Sequence, residues 1–402
     1  MIMKRRHFVA QSALAAAAAG SSHIAFSDSK SKRRVGIIGH SGRGDYGHGL
    51  DTVWLKFPEA EIVGVADADE KGLAKELKKL KLGNEVGFTN YRKMLAETKP
   101  EFVSVCPRHA DQHREMCLAA IEAGVRGIYV EKPFLQTPKD CDDVLAAAEK
   151  AGTKIAVAHR NRYHPVLQVV DQLIADGKLG KLLEIRGRGK GDRRGGAEDL
   201  WVLGTHVLNV MQYFGGAPKS CSAVMLQDGR QITKADVVLK SREGLGRLAG
   251  NELHARYEME RGVIATFDSM ADDDTKNQGF GLLLVGSKGV LNIQMDKNPV
   301  AHFLEGNPFE PNTEPTGWLP ITTAGIGKEE PKPELIASVR NHVAALQDLI
   351  ASVDEPNRQP LCNGRDAAST VEMVCAVFES QRQAGKTVTF PLEQRENALA
   401  LL

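Results

Sequence analysis

Three features of the sequence have residue types and spacing suited to chemistry on a bound small molecule. The first is Glu131-Lys132-Pro133, which follows a short apolar segment. An ammonium group at the end of a buried strand can hydrogen-bond a hydroxyl and help to remove its proton. The second is His206, because imidazole is the side chain whose unperturbed pKa lies nearest neutrality. The third is the glycine-rich segment from Gly39 to Gly44, whose backbone N–H groups can face a pyrophosphate. Each also has a plainer interpretation: a surface lysine, a packed histidine and a connecting turn.

The glycine-rich segment departs from the G-x-G-x-x-G pattern, because Ser41 occupies the second glycine position. Asp67 ends the next apolar run, about 28 residues after the segment begins, where a carboxylate can accept hydrogen bonds from both ribose hydroxyls. A carboxylate there repels a 2′-phosphate, so we expect NAD as cofactor and NADP less. Asp69 is an alternative contact, and either aspartate could instead cap a helix.

Apolar segments alternate with helical ones between residues 34 and 158, which is typical of a doubly wound parallel sheet in an α/β fold. We expect strands at 34–39, 60–67, 101–107, 127–133 and 154–158, with helices at 70–81, 113–124 and 139–151. After a helix at 165–176, polar turns separate strands at 181–188, 219–227, 236–239, 252–260, 262–268, 280–285 and 290–295. This spacing favours a large, mostly antiparallel sheet. An irregular segment at 305–333, helices at 335–353 and 365–385 and a strand at 387–391 complete the prediction.

Composition excludes several classes of function. The 402 residues suit two domains, and the formal net charge of +1 gives no basis for binding nucleic acid. No apolar run reaches the ~18–20 residues of a transmembrane helix, so we expect no stable membrane anchor. The six cysteines lack metal-ligand or disulfide-framework spacing, so we expect no metal site.

The N-terminus carries paired arginines, Arg5-Arg6, before an alanine-rich stretch from Ala13 to Ala19. This pattern predicts a twin-arginine export signal over residues 1–30 and a periplasmic location. The alternative is a frayed alanine-rich helix, with a cytoplasmic protein. The remaining chain divides into a cofactor-binding domain at 31–158 and a substrate and oligomerisation domain at 159–402.

Several segments together resemble one family of oxidoreductases, the glucose-fructose oxidoreductase, inositol dehydrogenase and rhizopine-catabolism family (Gfo/Idh/MocA). They are Val35-Gly-Ile-Ile-Gly39, Val65-Ala-Asp67, Val105-Cys-Pro107, His113 before Gly124, Val130-Glu-Lys-Pro133, Asn161-Arg-Tyr-His-Pro165 and the closing segment from Gly364 to Pro391. The resemblance implies an N-terminal Rossmann domain and a C-terminal α/β domain that often forms dimer contacts. It therefore implies a homo-oligomer, dimer or tetramer, acting on a sugar or cyclic polyol.

The resemblance also implies which residues form the site. The cofactor contacts it implies are Gly39, Ser41, Gly42, Arg43, Gly44, Asp67, Cys106, Pro107, Glu131 and Lys132. Its catalytic set is the lysine, Lys132, with an acid and a histidine four residues apart on a helix. Here His206 is present, but Val202 occupies the acid position. Asp199 lies seven residues before His206, about two helical turns and so on the same face, and is our candidate for the missing acid.

Polar residues around the expected domain junction are candidates for binding substrate hydroxyls. They are Arg160, Asn161 and Tyr163 after the fifth strand, Arg193 or Arg194 in the basic glycine-rich loop, and His206. The alternative is linker packing and solvated charge.

Three functions are compatible with these residues. In the first, the protein is a nicotinamide-dependent oxidoreductase of a sugar or polyol, which holds its cofactor tightly because no free nicotinamide pool exists outside the cytoplasm. In the second, it is a redox-neutral glycoside hydrolase, lyase or epimerase that works through a keto-sugar. In the third, it is a cofactor-binding protein without turnover, since Val202 replaces the acid.

Overall fold

The computed structural model of the chain describes residues 32–239, 241–275, 279–311 and 316–402. The segment with the paired arginines, and with it the export prediction, lies outside the described residues. Two sheets make up the compact unit Arg33–Leu402.

The first sheet has six strands in the order β3-β2-β1-β4-β5-β6, and all its pairings are parallel. Its central strands are buried along their length because helices cover both faces. This confirms the doubly wound parallel sheet. The strands are β1 Arg33–Ile38, β2 Ala60–Ala66, β3 Gly87–Phe88, β4 Phe102–Val105, β5 Gly127–Val130 and β6 Lys154–Val157.

The second sheet has eleven strands and is antiparallel except where β7 pairs with β11. Its strand order is β16-β15-β14-β13-β12-β7-β11-β10-β8-β17, with β9 paired to β8. The prediction of a large, mostly antiparallel sheet is confirmed. The strands are β7 Leu182–Arg188, β8 Pro218–Gln227, β9 Arg230–Gln231, β10 Glu252–Met259, β11 Ile264–Met270, β12 Phe280–Gly286, β13 Gly289–Met295, β14 Ala301–Glu305, β15 Leu319–Thr322, β16 Gly325–Ile326 and β17 Val388–Thr389.

Side-chain caps begin four of the helices, α1, α2, α4 and α10. Thr137 caps one of them with its side chain, Pro138 is the first residue of that helix and Gly152 ends it in the left-handed conformation. The helices are α1 Glu70–Leu80, α2 Tyr91–Thr98, α3 His113–Glu122, α4 Pro138–Ala151, α5 Val166–Ala175, α6 Ala197–Asp199, α7 Thr205–Gly215, α8 Pro333–Arg340, α9 Val343–Asp354 and α10 Gly364–Arg382.

The structure differs from the predicted elements in several places. Helix α2 and the short strands β3 and β9 lie where the sequence pattern predicts no element. Residues 236–239 form no strand; Val238 makes only an isolated bridge to Leu248. Strands β14, β15 and β16 fall in or beside the segment expected to be irregular. The single helix expected at 335–353 is two helices, because His342 has a φ of +65° and its ring hydrogen-bonds Tyr129 Oη at 2.6 Å. Such long-range contacts leave no signal in local periodicity.

One hydrophobic cluster contains side chains from both sheets. Val103 and Val130 of the first sheet belong to the same cluster as Phe267 of the second. Helix α10 lies between them, since it packs against β8 and also against α4. The two sheets therefore share a core.

Within the described residues, no helix combines the length and apolarity needed to cross a membrane. The same part of the chain has no group of three or more His, Cys, Asp or Glu side chains placed to hold a metal ion.

Candidate functional site

Lys132 lies just past the carboxyl end of β5, and its side chain is buried, with 5% of the residue exposed. Its Nζ donates a hydrogen bond to the backbone carbonyl oxygen of Val202 at 2.9 Å. Burial lowers the pKa of Lys132, and the charges of Glu131 and Glu243 oppose this shift in part. The ammonium group is therefore held at a fixed point and gives up its proton more readily than a free lysine does.

Glu131 is buried beneath the lysine and turned toward the first sheet's loops. It accepts the backbone N–H of His48 at 3.3 Å and that of Lys132 at 3.1 Å, and His48 Nδ1 lies 3.2 Å from Oε1. Although burial raises the pKa of this carboxyl group, the hydrogen bond and charge of His48 and the charge of Lys132 lower it to about 2. Glu131 is therefore a carboxylate that braces the turn carrying Lys132.

His113, at the start of α3, joins two of the turns that surround the site. Its ring nitrogens hydrogen-bond the carbonyl oxygens of Pro107, at 2.6 Å, and Phe134, at 2.9 Å. The end of β4 and the end of β5 are thereby held together.

A π-helical turn, Leu200–Gly204, separates α6 from α7. Its hydrogen bonds join residues five apart, so it adds about one residue, or roughly 100° of rotation, compared with an α-helix. Asp199 is thereby rotated relative to His206, and the expected shared face, which assumed a regular α-helix, is not formed.

Asp199 is fully buried and accepts hydrogen bonds from Ser269 and from the basic loop before the helix. Its Oδ2 accepts Ser269 Oγ at 2.6 Å and the backbone N–H of Lys190 at 3.0 Å. Its Oδ1 has no hydrogen-bond partner among the described residues. Burial raises the pKa of this carboxyl group. The contacts position Lys190; a catalytic role for Asp199 stays a prediction.

His206 lies against a second buried histidine, His159, with ring centroids 5.5 Å apart. Burial and the charge of Lys132 lower the pKa of His206 well below 6.5, and they lower that of His159 to about 3. Both rings are therefore neutral at physiological pH. Among the described residues, His206 Nδ1 and His159 Nε2 have no hydrogen-bond partner.

The tautomer of His159 follows from its neighbours. Cys362 Sγ lies 3.8 Å from both His159 Nδ1 and Asn209 Oδ1. If the thiol donates to the amide oxygen, the sulfur accepts Nδ1–H, and the lone pair of His159 is left at Nε2.

A cavity of about 200 Å³ opens beside Lys132 and His206. Of the other predicted site residues, Glu131, Arg160 and Arg194 also line it. Asn161, Tyr163, Arg193 and Asp199 do not. The complete lining is His48, Arg108, Glu131, Lys132, Ala158, Arg160, Lys190, Arg194, Val202, Leu203, His206, Glu243, Asp296 and His342.

The predicted substrate residues outside the lining have other surroundings. Tyr163 Oη accepts the backbone N–H of Cys362 at 3.2 Å, and Arg193 is exposed. Asn161 is buried, with its Nδ2 unpartnered among the described residues. Their proposed contacts with substrate stay predictions.

The glycine-rich segment forms an open turn after β1. Gly44 has a φ of +93°, and a Cβ there would lie 2.7 Å from the backbone nitrogen of His109. Only glycine fits this approach without strain. Gly42 also has a positive φ, +78°, and Arg43 pairs with Asp111 at 2.5 Å.

Asp67 holds this turn in place. Its carboxylate accepts Ser41 N–H at 3.0 Å and Ser41 Oγ–H at 2.8 Å, and also the backbone N–H of Asp69 at 3.0 Å. The serine at the second glycine position therefore has a partner in the acid predicted to bind ribose. Asp69 caps α1 by accepting Gly72 N–H at 2.6 Å, and the contact of either aspartate with ribose stays a prediction.

A second cavity, of about 290 Å³, lies between this turn and the carboxyl end of β2. Gly39 and Asp67 line it, as does Glu115, and its lining contains no Lys or Arg. Cys106 Sγ is buried against the backbone of Ser104, so a contact of Cys106 with a cofactor would use its main chain.

Motif reasoning missed four charged residues that line the cavity, namely Arg108, Lys190, Glu243 and Asp296. It also missed His159, which lies behind the lining against His206. Arg108 and His159 each follow a predicted strand and could have been found by that signal. Glu243 and Asp296 lie in turns far along the chain, and only the fold brings them to Lys132.

Comparisons with known proteins agree with this architecture. Residues 33–159 match the model of GFO_IDH_MocA, an oxidoreductase family with an NAD-binding Rossmann fold. The chain is 25% identical over 348 residues to D-apiose dehydrogenase of Paraburkholderia graminis, covering 83% of this chain and 84% of that protein. It is 28% identical over 213 residues to D-glucoside 3-dehydrogenase of Escherichia coli K12, covering 48% and 58%. Levoglucosan dehydrogenase, solved with NADH and L-sorbose, has the same fold, with a TM-score of 0.70 at 16% identity over 90% of this chain and 99% of that chain.

Proposed function

We propose that this chain is a member of the Gfo/Idh/MocA oxidoreductase family, whose NAD-binding model residues 33–159 match, and that it interconverts a hydroxyl and a carbonyl group of a sugar or cyclic polyol with NAD. The observation that carries the proposal is the buried Lys132, held by the Val202 carbonyl in one cavity with the neutral His206. The similarity to sugar dehydrogenases supports the substrate class.

The residues around β1 and β2 fit a dinucleotide. A Cβ at Gly42 would meet nothing within 4 Å, so the turn is open to a ligand at that residue, and the neighbouring cavity presents Asp67. No Lys or Arg lines that cavity, and Glu115 in its wall is paired with Arg92 at 3.3 Å and with Arg114 at 2.5 Å, so Asp67 is the carboxylate that a 2′-phosphate would meet. This supports NAD over NADP. When bound, the nicotinamide ring supplies the acceptor or donor of hydride.

Lys132 and His206 would manage the proton of the reacting hydroxyl. The pKa of Lys132 is lowered by burial, so its neutral form is accessible and can take the proton during oxidation. His206 is neutral and its unpartnered Nδ1 is buried, so the substrate would meet the other ring nitrogen, Nε2, which can accept or donate one hydrogen bond according to the tautomer. With Lys132 taking the proton and His206 binding the substrate, the reaction needs no carboxylate at the position of Val202.

The test is turnover by a Lys132→Met variant. We expect kcat to fall by about 10²–10⁴-fold, with NAD affinity, measured by titration of protein fluorescence, unchanged within threefold. Full activity in this variant would overturn the assignment. Product analysis of the wild type separates the alternatives: cleaved or epimerised sugar with little reduced cofactor would indicate the redox-neutral reaction.

We also propose that the protein is exported with its cofactor already bound, on the ground of Arg5-Arg6. Mass analysis of protein purified from the periplasm tests this, because co-purifying NAD is expected and its absence contradicts the proposal.

A homo-oligomer is proposed as well. Support comes from the open face of the second sheet, where a cavity of about 550 Å³ lies over β7, β11, β12 and β13. Light scattering should give two or four times the mass of the chain, and a monomer at micromolar concentration would contradict this.

A further inference from the structure

The charges around the cavity of Lys132 are not balanced. Its lining has five Lys or Arg side chains and three Asp or Glu side chains. One of the carboxylates, Asp296, is paired with Arg160 at 2.8 Å, and a second, Glu131, is held by His48 and by backbone N–H groups. Only the half-buried Glu243 remains to oppose the other cations.

Three of those cations lack a carboxylate partner, and one of them, Lys132, donates instead to the Val202 carbonyl. Arg194 is paired outside the cavity, with Asp192 at 2.6 Å. Neither Arg108 nor Lys190 forms an ion pair within the described part of the chain, and both side chains are half-buried. A half-buried cation without a partner loses hydration, and binding an anion restores the lost interaction.

Lys190 is built into the site and is not a stray surface lysine. Its backbone N–H donates to the buried Asp199, which also accepts Ser269 Oγ. At the neighbouring Gly189, a Cβ would collide with Asp199 Oδ2. This packing fixes the backbone from which the side chain of Lys190 reaches the cavity.

The excess positive charge does not belong to the glycine-rich turn, where the resemblance implies contacts with the cofactor. The cavity at Gly39 and Asp67 shares no residue with the lining at Lys132. Lys190 follows β7 of the second sheet, whereas the turn follows β1 of the first. Arg108 is less clearly separated, because its backbone N–H donates to Gly44 at 3.1 Å. Lys190 is therefore the side chain that tests the inference.

We propose that the sugar or polyol bound here carries an anionic group, a carboxylate or a phosphate, which Lys190 binds together with Arg108. The inference rests on the function proposed above and adds the charge of the substrate to it. Charge-assisted hydrogen bonds to the anion would also select against neutral sugars, because those leave the two cations unpaired.

The experiment compares sugars that differ only in the group at C6, which is neutral in one sugar and anionic in its partner. D-glucose is compared with D-glucuronate and D-glucose 6-phosphate, and D-galactose with D-galacturonate. NADH formation gives kcat/KM, and calorimetry on the NADH-loaded protein gives affinity for sugars that do not react. We expect an anionic sugar to exceed its neutral partner at least tenfold; the glucuronate and phosphate results show which anion is preferred.

Variants of Lys190 connect the preference to the residue. Lys190→Gln should reduce the ratio of anionic to neutral kcat/KM, or of affinity, at least tenfold, mainly through KM, and Lys190→Arg should keep it. Lys178→Gln, which removes a charge from an exposed site outside the cavity, should leave the ratio unchanged.

Two results would overturn the inference: no tighter binding or faster turnover of any acid or phosphate than of its neutral partner, or an anion preference that survives in Lys190→Gln. Turnover of neutral sugars without such a preference would still leave the proposed oxidoreductase in place. Failure of the proposed function looks different, since no sugar, acid or polyol would then change the redox state of the cofactor.

Discussion

The Nζ atom of Lys132 donates a 2.9 Å hydrogen bond to the backbone carbonyl of Val202, the residue at the position where the resemblance led us to expect an acid. A backbone carbonyl fixes the direction of the amine but carries no full negative charge. It therefore stabilises the protonated lysine less than a carboxylate would. Burial can then lower the pKa of Lys132 with little opposition from this side of the cavity.

The first prediction concerns pH. Because the neutral lysine accepts the hydroxyl proton, sugar oxidation should become faster as pH rises through the lowered pKa of Lys132, and the reverse reduction slower. In Val202→Asp, the new carboxylate should raise that pKa and shift the profile to higher pH by about one unit. Profiles of kcat/KM measured for both proteins check this, with Val202→Asn as the uncharged control. Identical profiles for Asp and Asn variants would contradict it.

The second prediction concerns the charge of His206. Burial lowers its pKa well below 6.5, so the ring should stay neutral from pH 8 down to pH 6. The internal comparison is His254, whose pKa is raised because hydrogen bonds to Glu252 and Asp268 outweigh the effect of burial. Ring ¹⁵N shifts are assigned with His206→Gln and His254→Gln. Of these two rings, we expect His254 to titrate in this range and His206 not to. Protonation of His206 near pH 6.5 would refute the assignment.

The third prediction separates Asp67 from Asp69. Asp67→Ala should weaken NAD at least tenfold and reduce the discrimination against NADP, because the ribose loses its acceptor and Ser41 loses its partner. Asp69→Ala removes the α1 cap and should cost about 1 kcal/mol of stability, with NAD affinity preserved. Fluorescence titration and thermal unfolding of both variants check this. Equal losses of NAD affinity would show that ribose recognition is not specific to Asp67.

The fourth prediction concerns stability in acid. The pKa of Glu131 is about 2 in the folded chain, against about 4.3 in an unfolded one. Its charge therefore stabilises the fold fully above pH ~5, and that contribution is lost as pH falls toward 2. Glu131→Gln should cost on the order of 3 kcal/mol at pH 7 and less at pH 3. Urea unfolding at both pH values measures the difference, and Glu61→Gln, at an exposed position of β2, is the control. A cost independent of pH would contradict the charge argument.

Local pattern was sufficient for five of the six strands of the first sheet and for the place of Lys132, because each of those strands is a short apolar run and the lysine follows one directly. It missed β3, whose two residues are too few to form such a run. It failed at His342, where a contact with Tyr129 interrupts a helical pattern. It failed again between Asp199 and His206, since a π-helical turn changes the rotation per residue without changing the residue types. Glu243 could not be found at all, because loop packing and not periodicity brings it to the cavity.

The hydrophobic cluster that includes Val103, Val130 and Phe267 has a consequence for measurement. When two halves share one core, neither can melt without exposing apolar surface of the other, so heat should unfold residues 33–402 in a single cooperative transition. Nucleotide bound at Asp67 and sugar bound at Lys190 would then each raise the melting temperature of the same transition. A single thermal-shift assay can therefore screen for ligands of both cavities at once.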